Sequence, residues 1–428
     1  MENKYFINNC TFIPVESSSE ELKKLLDEET GGLEVSNGNP TITYYESILS
    51  CSISLTLSDV IDVDQFVSKY SLSAGELIKM KVLVGENKKQ EGQEDFIIDE
   101  TQHKLRLTRV KDVQTTSRAQ TASFEFVSEE ILINETSRIN KKYHGNISNI
   151  VEEILKKDVK GIKTDKSLTK DLCGNSYTFT GNLKRPFDTI NWLCQKAASS
   201  VRDDCGFCFF ETLDGYNFRS INEMLAAEPI QSFVRGDRTD YGNDFNISDA
   251  KLSQSNDVPV NLRTGMYANR TLYLDVKNQT LSVEDYKINN NKGITKKPKL
   301  PKDLADSPSR LMFRITDVGA QQKGSGFEGE SELDLAKYQN ISYSRSNLLN
   351  AYSMQISVSF NTLLRAGDTI ELTFPYRDGD GNERQTVRGK KDRTDLSGKY
   401  LISELRHEIG DAKSSTHLRV IRDTFSAK

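Results

Sequence analysis

Two nine-residue stretches near opposite ends of the chain share one pattern, AGELIKMKV at residues 74–82 and AGDTIELTF at residues 366–374. In each stretch a glycine precedes a run in which apolar and polar residues largely alternate. Alternation with a period of two is typical of a half-buried β-strand. A glycine just before such a strand is typical of a turn that needs positive φ. We therefore predict equivalent structural turns at Gly75 and Gly367.

The similarity extends along the chain on both sides of these turns. Upstream, ISLTL at residues 53–57 matches ISVSF at residues 356–360 in pattern. Downstream, each copy has one strand, a polar loop and another strand, at 105–110 and 123–127 in the first copy and at 400–405 and 417–421 in the second. Such self-similarity predicts two copies of one antiparallel β-barrel. The alternative is that two unrelated sets of hairpins share glycine turns and alternation.

The middle of the chain has a helical period instead. Apolar residues recur with helical spacing behind Asn146, a candidate N-cap, at Ile147, Ile150, Val151, Ile154 and Leu155. Pro186 suits the first position of a second helix. Asp214 and Gly215 lie between two apolar runs, which is a strong signal for a hairpin. These features predict an α+β segment.

The predicted fold class is mainly β with α+β, in which two similar antiparallel, tube-like β-barrels accompany an α+β domain and an accessory insertion. An extended arm with one small helix, which carries Leu22, Leu25 and Leu26, precedes the first barrel. The predicted divisions are residues 1–134 for the arm and first barrel, 135–230 for the α+β domain, 231–288 for the start of the second barrel, 289–344 for a linker or insertion, and 345–428 for the remainder of the second barrel.

Composition limits the classes of function. Of the 428 residues, 36% are hydrophobic, and no apolar window is long enough to predict a membrane span. The formal charge of -5 argues against non-specific binding to nucleic acid but allows DNA to pass through a pore. The first residues lack the features of a signal peptide, and the 6 cysteines lack the spacing of a disulfide framework. We expect assembly in a reducing host cytoplasm.

Cys205 and Cys208 form a C-x-x-C motif that runs into an apolar strand. A redox motif of this kind belongs at the start of a helix, where the helix dipole lowers the pKa of the thiol. Zinc would need two more ligands, for which Cys173 and Cys194 are the nearby candidates. We predict buried or edge cysteines, with no metal and no cofactor.

Three other motifs are weak signals for ligand binding. The glycine-rich stretch 324–329 lacks the preceding strand of a dinucleotide fold. The stretch 378–382 resembles a calcium loop, but Glu383 stands where glycine is needed and Gly389 where glutamate is needed. A third set, the lysines at 296, 297, 299 and 302, has no interleaved aromatic residues. A flexible loop, a charged hairpin tip and a solvated linker are the simpler interpretations.

No pattern of residues predicts a catalytic centre. None of the four histidines, His103, His144, His407 and His417, lies in a recognisable nucleophile or metalloprotease context. Three of them lie in or near predicted strands, where we expect partly exposed surface side chains. No catalytic residue is therefore assigned.

Two stretches in the middle of the chain and several near its end resemble one protein family. Residues 182–193, NLKRPFDTINWL, and 209–221, FFETLDGYNFRSI, are similar to the middle domain of baseplate hub proteins from contractile-tailed, T-even-type bacteriophages. The ending is also similar to theirs, at residues 364–368, 396–402 and 422–423. The residues 289–345 match the family least well.

This resemblance implies a non-enzymatic structural protein of the virion tail baseplate. Such hubs are ring-shaped homotrimers with two tube-like barrels per chain. They bind a cell-puncturing spike protein on one side and tail tube or tube-initiator proteins on the other, beside other baseplate proteins, with DNA only in transit. The alternatives are a tail-associated cell-wall hydrolase and the hub of a related contractile injection or secretion apparatus.

Overall fold

The computed structural model describes part of the chain. The described residues are 5–13, 33–34, 40–61, 75–84, 95–115, 120–158, 160–200, 205–236, 245–255, 257–276, 279–290, 300–316, 321–323, 335–349, 352–376, 396–410 and 414–422. The predicted small helix of the N-terminal arm lies outside these residues.

The N-terminal third forms a set of β-strands, here called the first strand set: β1 Tyr5–Ile13, β2 Leu33–Glu34, β3 Thr41–Ser47, β4 Ser54–Ile61, β5 Leu77–Val84, β6 Phe96–Ile98, β7 Leu105–Thr115 and β8 Gln120–Ser128. Their order in the sheet is β3-β4-β8-β7-β5-β1-β2, with β6 beside β5. Among the described residues, every strand pairing within this set is antiparallel. Alternate side chains are buried along these strands, for example Ile78, Met80 and Val82.

The α+β segment follows: α1 Glu129–Thr136, β9 Lys142–Asn146, α2 Ile147–Glu152 with a π-helical extension Glu153–Lys157, β10 Leu168–Lys170, β11 Asn175–Thr180, α3 Pro186–Cys194, β12 Phe207–Thr212, β13 Gly215–Ser220 and α4 Ile221–Ala226. The Asn146 side chain accepts a hydrogen bond from the Ser148 amide, so the predicted cap is confirmed. Pro186 begins α3 as predicted, and β12 and β13 form the predicted hairpin, with Gly215 as the first residue of its second strand.

The next residues form β14 Gln231–Val234, β15 Asp249–Ser255, α5 Val258–Thr264, β16 Ala268–Asp275, β17 Thr280–Lys287, the 3₁₀ helix Ile288–Asn290, α6 Lys302–Asp306, β18 Arg310–Thr316, β19 Gln321–Lys323 and α7 Leu335–Leu349. Strands β17, β16 and β18 form a sheet of their own. The predicted division between residues 288 and 289 falls inside this sheet, and the division of the chain into domains stays a prediction.

The C-terminal strands are β20 Tyr352–Ser359, β21 Thr369–Thr373, β22 Gly398–Ile409 and β23 Ser414–Ile421. Together with β14 and β15 they form the second strand set, in the order β15-β20-β23-β22-β21-β14. This order repeats that of β3-β4-β8-β7-β5-β1 strand for strand. The predicted mainly β fold with two similar halves and an α+β segment is confirmed.

Two details of the predicted repeat are wrong. The pairing of β14 with β21 is parallel, whereas β1 pairs with β5 antiparallel. Phe126 and Val420 are equivalent, because they lie opposite Leu107 and Ile402, the residues just before a bulge in β7 and β22. Leu55 lies opposite Phe126 and Met354 lies opposite Val420, so Leu55 is equivalent to Met354. The predicted match of 53–57 with 356–360 is therefore displaced by four residues. An even displacement leaves the same face of a strand buried, so alternation does not reveal it.

The two strand sets share one hydrophobic core, because β3 of the first set pairs antiparallel with β22 of the second. This joint places Tyr44 opposite His407, and both side chains are fully buried. Burial of the face that carries Ile42 and Tyr44 fixes the register of the joint. The α+β segment has a separate core around Ile150, Ile154 and Phe187.

Candidate functional site: the junction of the two strand sets

A single buried carboxylate connects three parts of the molecule. Glu46, on β3, is fully buried. Its Oε1 accepts hydrogen bonds from the Tyr44 hydroxyl at 2.6 Å and from the Leu213 amide at 2.7 Å. Its Oε2 accepts one from the Ala366 amide at 2.9 Å. The first strand set, the β12–β13 turn and the second strand set therefore meet at one side chain.

Arg365 supplies the positive charge of this junction. Its guanidinium nitrogens lie 3.1 Å and 3.3 Å from the two carboxylate oxygens of Asp214, which is in the β12–β13 turn. Burial raises the pKa of Glu46, although Arg365 opposes this effect. Burial disfavours the charged form of Arg365, but Glu46 and Asp214 outweigh it and raise the pKa of the guanidinium. Glu46 and Arg365 therefore stabilise each other's charge in a largely buried site, whereas the side chain of Asp214 is 71% exposed.

A second buried carboxylate lies where the α+β segment meets the first strand set. Glu211, on β12, is fully buried and accepts hydrogen bonds from the Ile53 amide at 3.1 Å and the Ser128 hydroxyl at 2.6 Å. The Lys166 ammonium lies 2.6 Å from Glu211 and 2.8 Å from Glu130. Burial, with a smaller contribution from Glu130, raises the pKa of Glu211 to about 7 although Lys166 opposes both.

These contacts hold parts of the chain together, and neither of the two buried carboxylates is accessible from the surface. Both Glu46 and Glu211 have no exposed surface. An open cleft of about 890 Å³ lies beside the junction, lined in part by Asp214, Phe245 and Asp368. The Asp368 carboxylate accepts a hydrogen bond from the Arg365 amide at 2.9 Å, and burial raises its pKa to about 6. Two carboxylates that line the cleft, those of Asp214 and Asp368, are thus hydrogen-bonded to Arg365.

Gly75 and Gly367 occupy turns with the same hydrogen bonds. Their φ angles are 103° and 93°, a region that favours glycine. The Gly75 amide donates to the Leu107 carbonyl and the Gly367 amide to the Ile402 carbonyl. In return, the amides of Leu107 and Ile402 donate to the residues that follow the two glycines. The junction contacts of Glu46 and Arg365 flank the second of these turns.

The next two residues along each strand strengthen the correspondence. A β-bulge follows Leu107 in one set and Ile402 in the other. The hydroxyl of the bulged residue donates to a backbone carbonyl across the pair in both sets, from Thr108 to Glu125 at 3.0 Å and from Ser403 to Arg419 at 2.8 Å. Bulges reshape a sheet locally and are specific features of a fold. Two identical bulges therefore support a repeated unit.

Cys208 lies in β12, in agreement with the strand predicted there, and Cys205 is buried just before it. Burial raises the pKa of the Cys208 thiol to about 12, which keeps it protonated and poorly nucleophilic. Among the described residues, no group of three or more His, Cys, Asp and Glu side chains could hold a metal ion. Within the same part of the chain, no helix combines the length and hydrophobicity needed to cross a membrane.

One of the histidine predictions is wrong. His407 is completely buried and lies among the rings of Tyr44, Phe96 and Phe360, with Nδ1 2.9 Å from the Thr416 hydroxyl. Burial, together with the charge of Arg365, lowers the pKa of His407 to about 3. The side chain is a neutral part of the core because β3 covers the strand on which it lies.

Several predicted motifs lie outside the described residues: the glycine-rich stretch 324–329, the calcium-like stretch 378–382 and the lysines at 296, 297 and 299. Lys302 begins α6.

The sequence interpretation missed Glu46, Glu211, Lys166 and Arg365. The sequence does contain a signal for the burial of Glu46, since Glu46 shares a strand face with the apolar Ile42 and Tyr44. A carboxylate in such a position must find hydrogen-bond partners when the strand is buried. Which partners it finds depends on turns more than 160 residues away, as with Leu213.

Comparisons with known proteins agree with this architecture. No protein-family model matches the chain. Over 263 residues it is 20% identical to the probable baseplate hub protein gp334 of Vibrio phage KVP40, a match that covers 58% of this chain and 59% of that protein. The chain thus matches less than two thirds of the length of this relative.

Two solved structures share the fold over nearly their whole length. The tail protein from Neisseria meningitidis MC58 superposes with a TM-score of 0.53 and 10% identity, covering 92% of this chain and 94% of that chain. The 43 kDa tail protein of prophage MuSo2 from Shewanella oneidensis has a TM-score of 0.52 and 9% identity, covering 100% and 99%. The chain is therefore similar in sequence to a phage baseplate hub protein over part of its length and shares the fold of these two tail proteins.

Proposed function

We propose that the chain is the structural hub of a contractile phage tail baseplate, a homotrimer that joins a sixfold tail tube to a threefold spike. The observation that carries this proposal is the repeated strand set. A chain with two sets of the same strand order presents six quasi-equivalent units when three copies close into a ring. One face of such a ring matches sixfold symmetry, while the assembly of three chains has exact threefold symmetry.

The buried junction suits this mechanical role. Glu46 and Glu211 fix the α+β segment against both strand sets through hydrogen bonds to backbone amides and a serine hydroxyl. Removing one partner from such a buried network is costly, so the three parts move as a unit. A spike protein bound to the α+β segment would then transmit force to the ring without a loose hinge.

The proposed partners follow from the same geometry. Tail tube or tube-initiator proteins meet the sixfold face, the spike and other baseplate proteins meet the remaining surface, and DNA passes through the central channel in transit. The channel must exceed the width of duplex DNA, on the order of 20 Å, and its lining must not bind phosphate tightly. The protein would act in the virion tail baseplate after assembly in the host cytoplasm.

The mass of the purified protein in solution, followed by cryo-microscopy of the particle, tests the proposal. We expect three times the chain mass of 48.3 kDa and a ring with a central channel. A protein that stays a single chain at micromolar concentration and also within the tail would overturn it. The hub of a related injection or secretion apparatus would show the same ring in a different setting.

The second candidate function, hydrolysis of cell walls, has a direct assay. We expect no loss of turbidity when purified protein is added to bacterial cell walls. Hydrolysis that disappears when one carboxylate of the cleft is replaced, for instance in Asp214→Asn, would establish an enzyme and contradict a purely structural hub.

A further inference from the structure

Two lysines lie over the single tryptophan of the chain, which is in α3 of the α+β segment. The Lys196 ammonium lies 4.6 Å from the centre of the Trp192 ring and 5.3 Å from that of Tyr177. The Lys184 ammonium lies 5.1 Å from the centre of the Trp192 ring. The rings of Tyr177 and Phe179 hold the indole by edge contacts, with ring centres 5.6 Å and 5.2 Å away. An aromatic face attracts cations, so the indole gathers two positive charges at one place.

Lys196 extends from a backbone that is fixed in the core of the α+β segment. The residue is 7% exposed. Its carbonyl accepts a hydrogen bond from the Asn175 side chain at 2.8 Å, and the same side chain accepts one from the Ala198 amide at 3.0 Å. Asn175 lies in β11 and is itself buried. The ammonium of Lys196 is therefore held near the indole by contacts on both sides of its own backbone.

The positive charge at this place is not neutralised within the described part of the chain. None of Lys184, Lys196 and Arg314, which is in β18, lies within 4.0 Å of a carboxylate there. Burial, together with the charges of Arg314 and Lys184, lowers the pKa of Lys196 to about 8. A buried cation without an opposite charge is unfavourable, and an anion that joins it removes this cost.

The turn that carries Lys184 has an unusual backbone. Asn182 and Leu183 have φ angles of 52° and 57°, and the Lys184 amide donates to the Gly181 carbonyl at 3.1 Å. Two consecutive residues with positive φ are typical of a turn with asparagine and glycine at its centre. Leucine is strained in this conformation, yet Leu183 is 63% exposed and gains little from burial. Strain of this kind is concentrated at functional positions.

The lysine–tryptophan site consists of Leu183, Lys184, Trp192 and Lys196. We propose that this site binds an acidic segment of a partner protein. A carboxylate of the partner pairs with the two ammonium groups, and an apolar side chain beside that carboxylate contacts Leu183. Access is from the side of Lys184 and Trp192, which are exposed and half-buried. The proposal concerns the α+β segment alone and does not depend on the homotrimer.

An acidic peptide fits the site better than a nucleic acid does. A phosphate backbone is bound by positive charges that follow a groove, whereas here the charge is concentrated at one ring. The neighbouring cations do not extend it, because Arg185 is paired with Glu135 at 2.8 Å and Lys141 is paired with Glu153. A tryptophan beside a buried charge is also typical of the few residues that dominate binding between proteins.

The fluorescence of Trp192 tests the site directly, because no other tryptophan contributes to the signal. A hexaglutamate peptide is titrated into the wild-type protein and into Lys196→Met and Lys184→Met. The matched control is Lys141→Met, since Lys141 lies 5.1 Å from the centre of the Tyr143 ring but already has a carboxylate partner. Inorganic phosphate and oligothymidine are titrated in parallel with the peptide.

We expect hexaglutamate to change the emission of the wild-type protein in a saturable way, with an affinity that is lower by about tenfold or more in Lys196→Met. The affinity of Lys184→Met should fall by a smaller factor, because this lysine is exposed. The affinity of Lys141→Met should equal that of the wild type. Thermal unfolding checks that each variant is folded, and the exposed position of Lys184 keeps the test valid if Lys196→Met is not.

Three results would overturn the proposal. The first is the absence of a saturable change at millimolar hexaglutamate, or equal affinities in the wild type and both lysine variants. Tighter binding of oligothymidine would indicate a nucleic-acid site instead, and phosphate bound as tightly as the peptide would indicate a site for small anions only. The mass in solution tests the hub separately, so a single chain that binds hexaglutamate would contradict the hub and support this site.

Discussion

The two strand sets have the same backbone plan but different chemistry at equivalent positions. Both have the glycine turn, the bulge and the bulge hydroxyl, whereas the ion pair beside the bulge is reversed. Arg109 and Glu125 in the first set correspond to Glu404 and Arg419 in the second. Strand order and turns are thus preserved by backbone hydrogen bonds, while exposed side chains vary freely. Backbone hydrogen bonds therefore define the repeat, and the sign of an exposed ion pair does not.

The sets also differ in what covers the equivalent strands. Residues 404–409 of β22 pair with β3, and His407 and Ile409 among them are buried. The corresponding residues 112–114 of β7 are exposed and include Asp112 and Gln114. The position of a strand in the sheet therefore decides whether its side chains are apolar or polar, even where the backbone of the two sets is the same.

Loss of the carboxylate that joins the sets should have the largest effect on stability. In Glu46→Ala, the amides of Leu213 and Ala366 and the Tyr44 hydroxyl lose their acceptor and Arg365 loses a buried counter-charge. We expect the free energy of unfolding in urea to fall by about 3–5 kcal/mol. The control is Glu404→Ala, a partly exposed ion-pair partner, with a loss below about 1 kcal/mol. Equal losses in both variants would show that Glu46 does not join the sets.

The two glycine turns should differ in tolerance although their backbones match. A Cβ at Gly367 would lie 2.7 Å from Cζ of Phe210, in addition to the strain of positive φ. We expect Gly367→Val to cost about 4 kcal/mol and Gly75→Val about 1–3 kcal/mol. Thermal and urea unfolding measure both. If neither variant changes the melting temperature, the glycines have no special role in the turns.

Acid should weaken the second strand set through His407. The folded pKa of about 3 lies below that of an unfolded histidine near 6.5, so between these pH values the unfolded state binds a proton that the folded state does not. Stability from this residue is full above pH 6.5 and is lost as the pH falls toward 3. At pH 5 we expect a loss of roughly 2 kcal/mol relative to pH 7.

The comparison for this prediction is His407→Leu, which keeps an apolar side chain of similar size and cannot titrate. Subtracting the pH profile of this variant removes the contribution of Glu211. The raised pKa of Glu211 has the opposite effect, because the stability that it contributes is lost as the pH rises from 4.5 to about 7. Identical profiles for the wild-type and variant proteins between pH 7 and pH 5 would contradict the burial of a neutral imidazole.

The reversed ion pairs should have the smallest effect. We expect Arg109→Glu or Glu404→Arg alone to cost less than about 1 kcal/mol, because these side chains are partly exposed. Reversing both members, as in Glu404→Arg with Arg419→Glu, should restore the wild-type value to within about 0.5 kcal/mol. A double-mutant cycle in urea measures this, and a large residual loss would show that the sign of the pair is specific to each set.

Much of the fold followed from local patterns in the sequence. Alternation predicted β5, β7 and their counterparts β21 and β22, because a strand buried on one face needs an apolar residue at every second position. The cap at Asn146 and the start of α3 at Pro186 followed from which backbone groups a helix terminus leaves unpaired. The glycines at 75 and 367 marked the turns that proved to have matching hydrogen bonds.

Only the tertiary structure decided how these elements meet. The displacement of four residues between β4 and β20 and the parallel pairing of β14 are invisible to alternation, which specifies a face but not a partner. The burial of Glu46, Glu211 and His407 depends on strands and turns that are distant in sequence. The free energy of a charged or titratable side chain depends on all the groups around it, and the chain brings those groups together only when it folds.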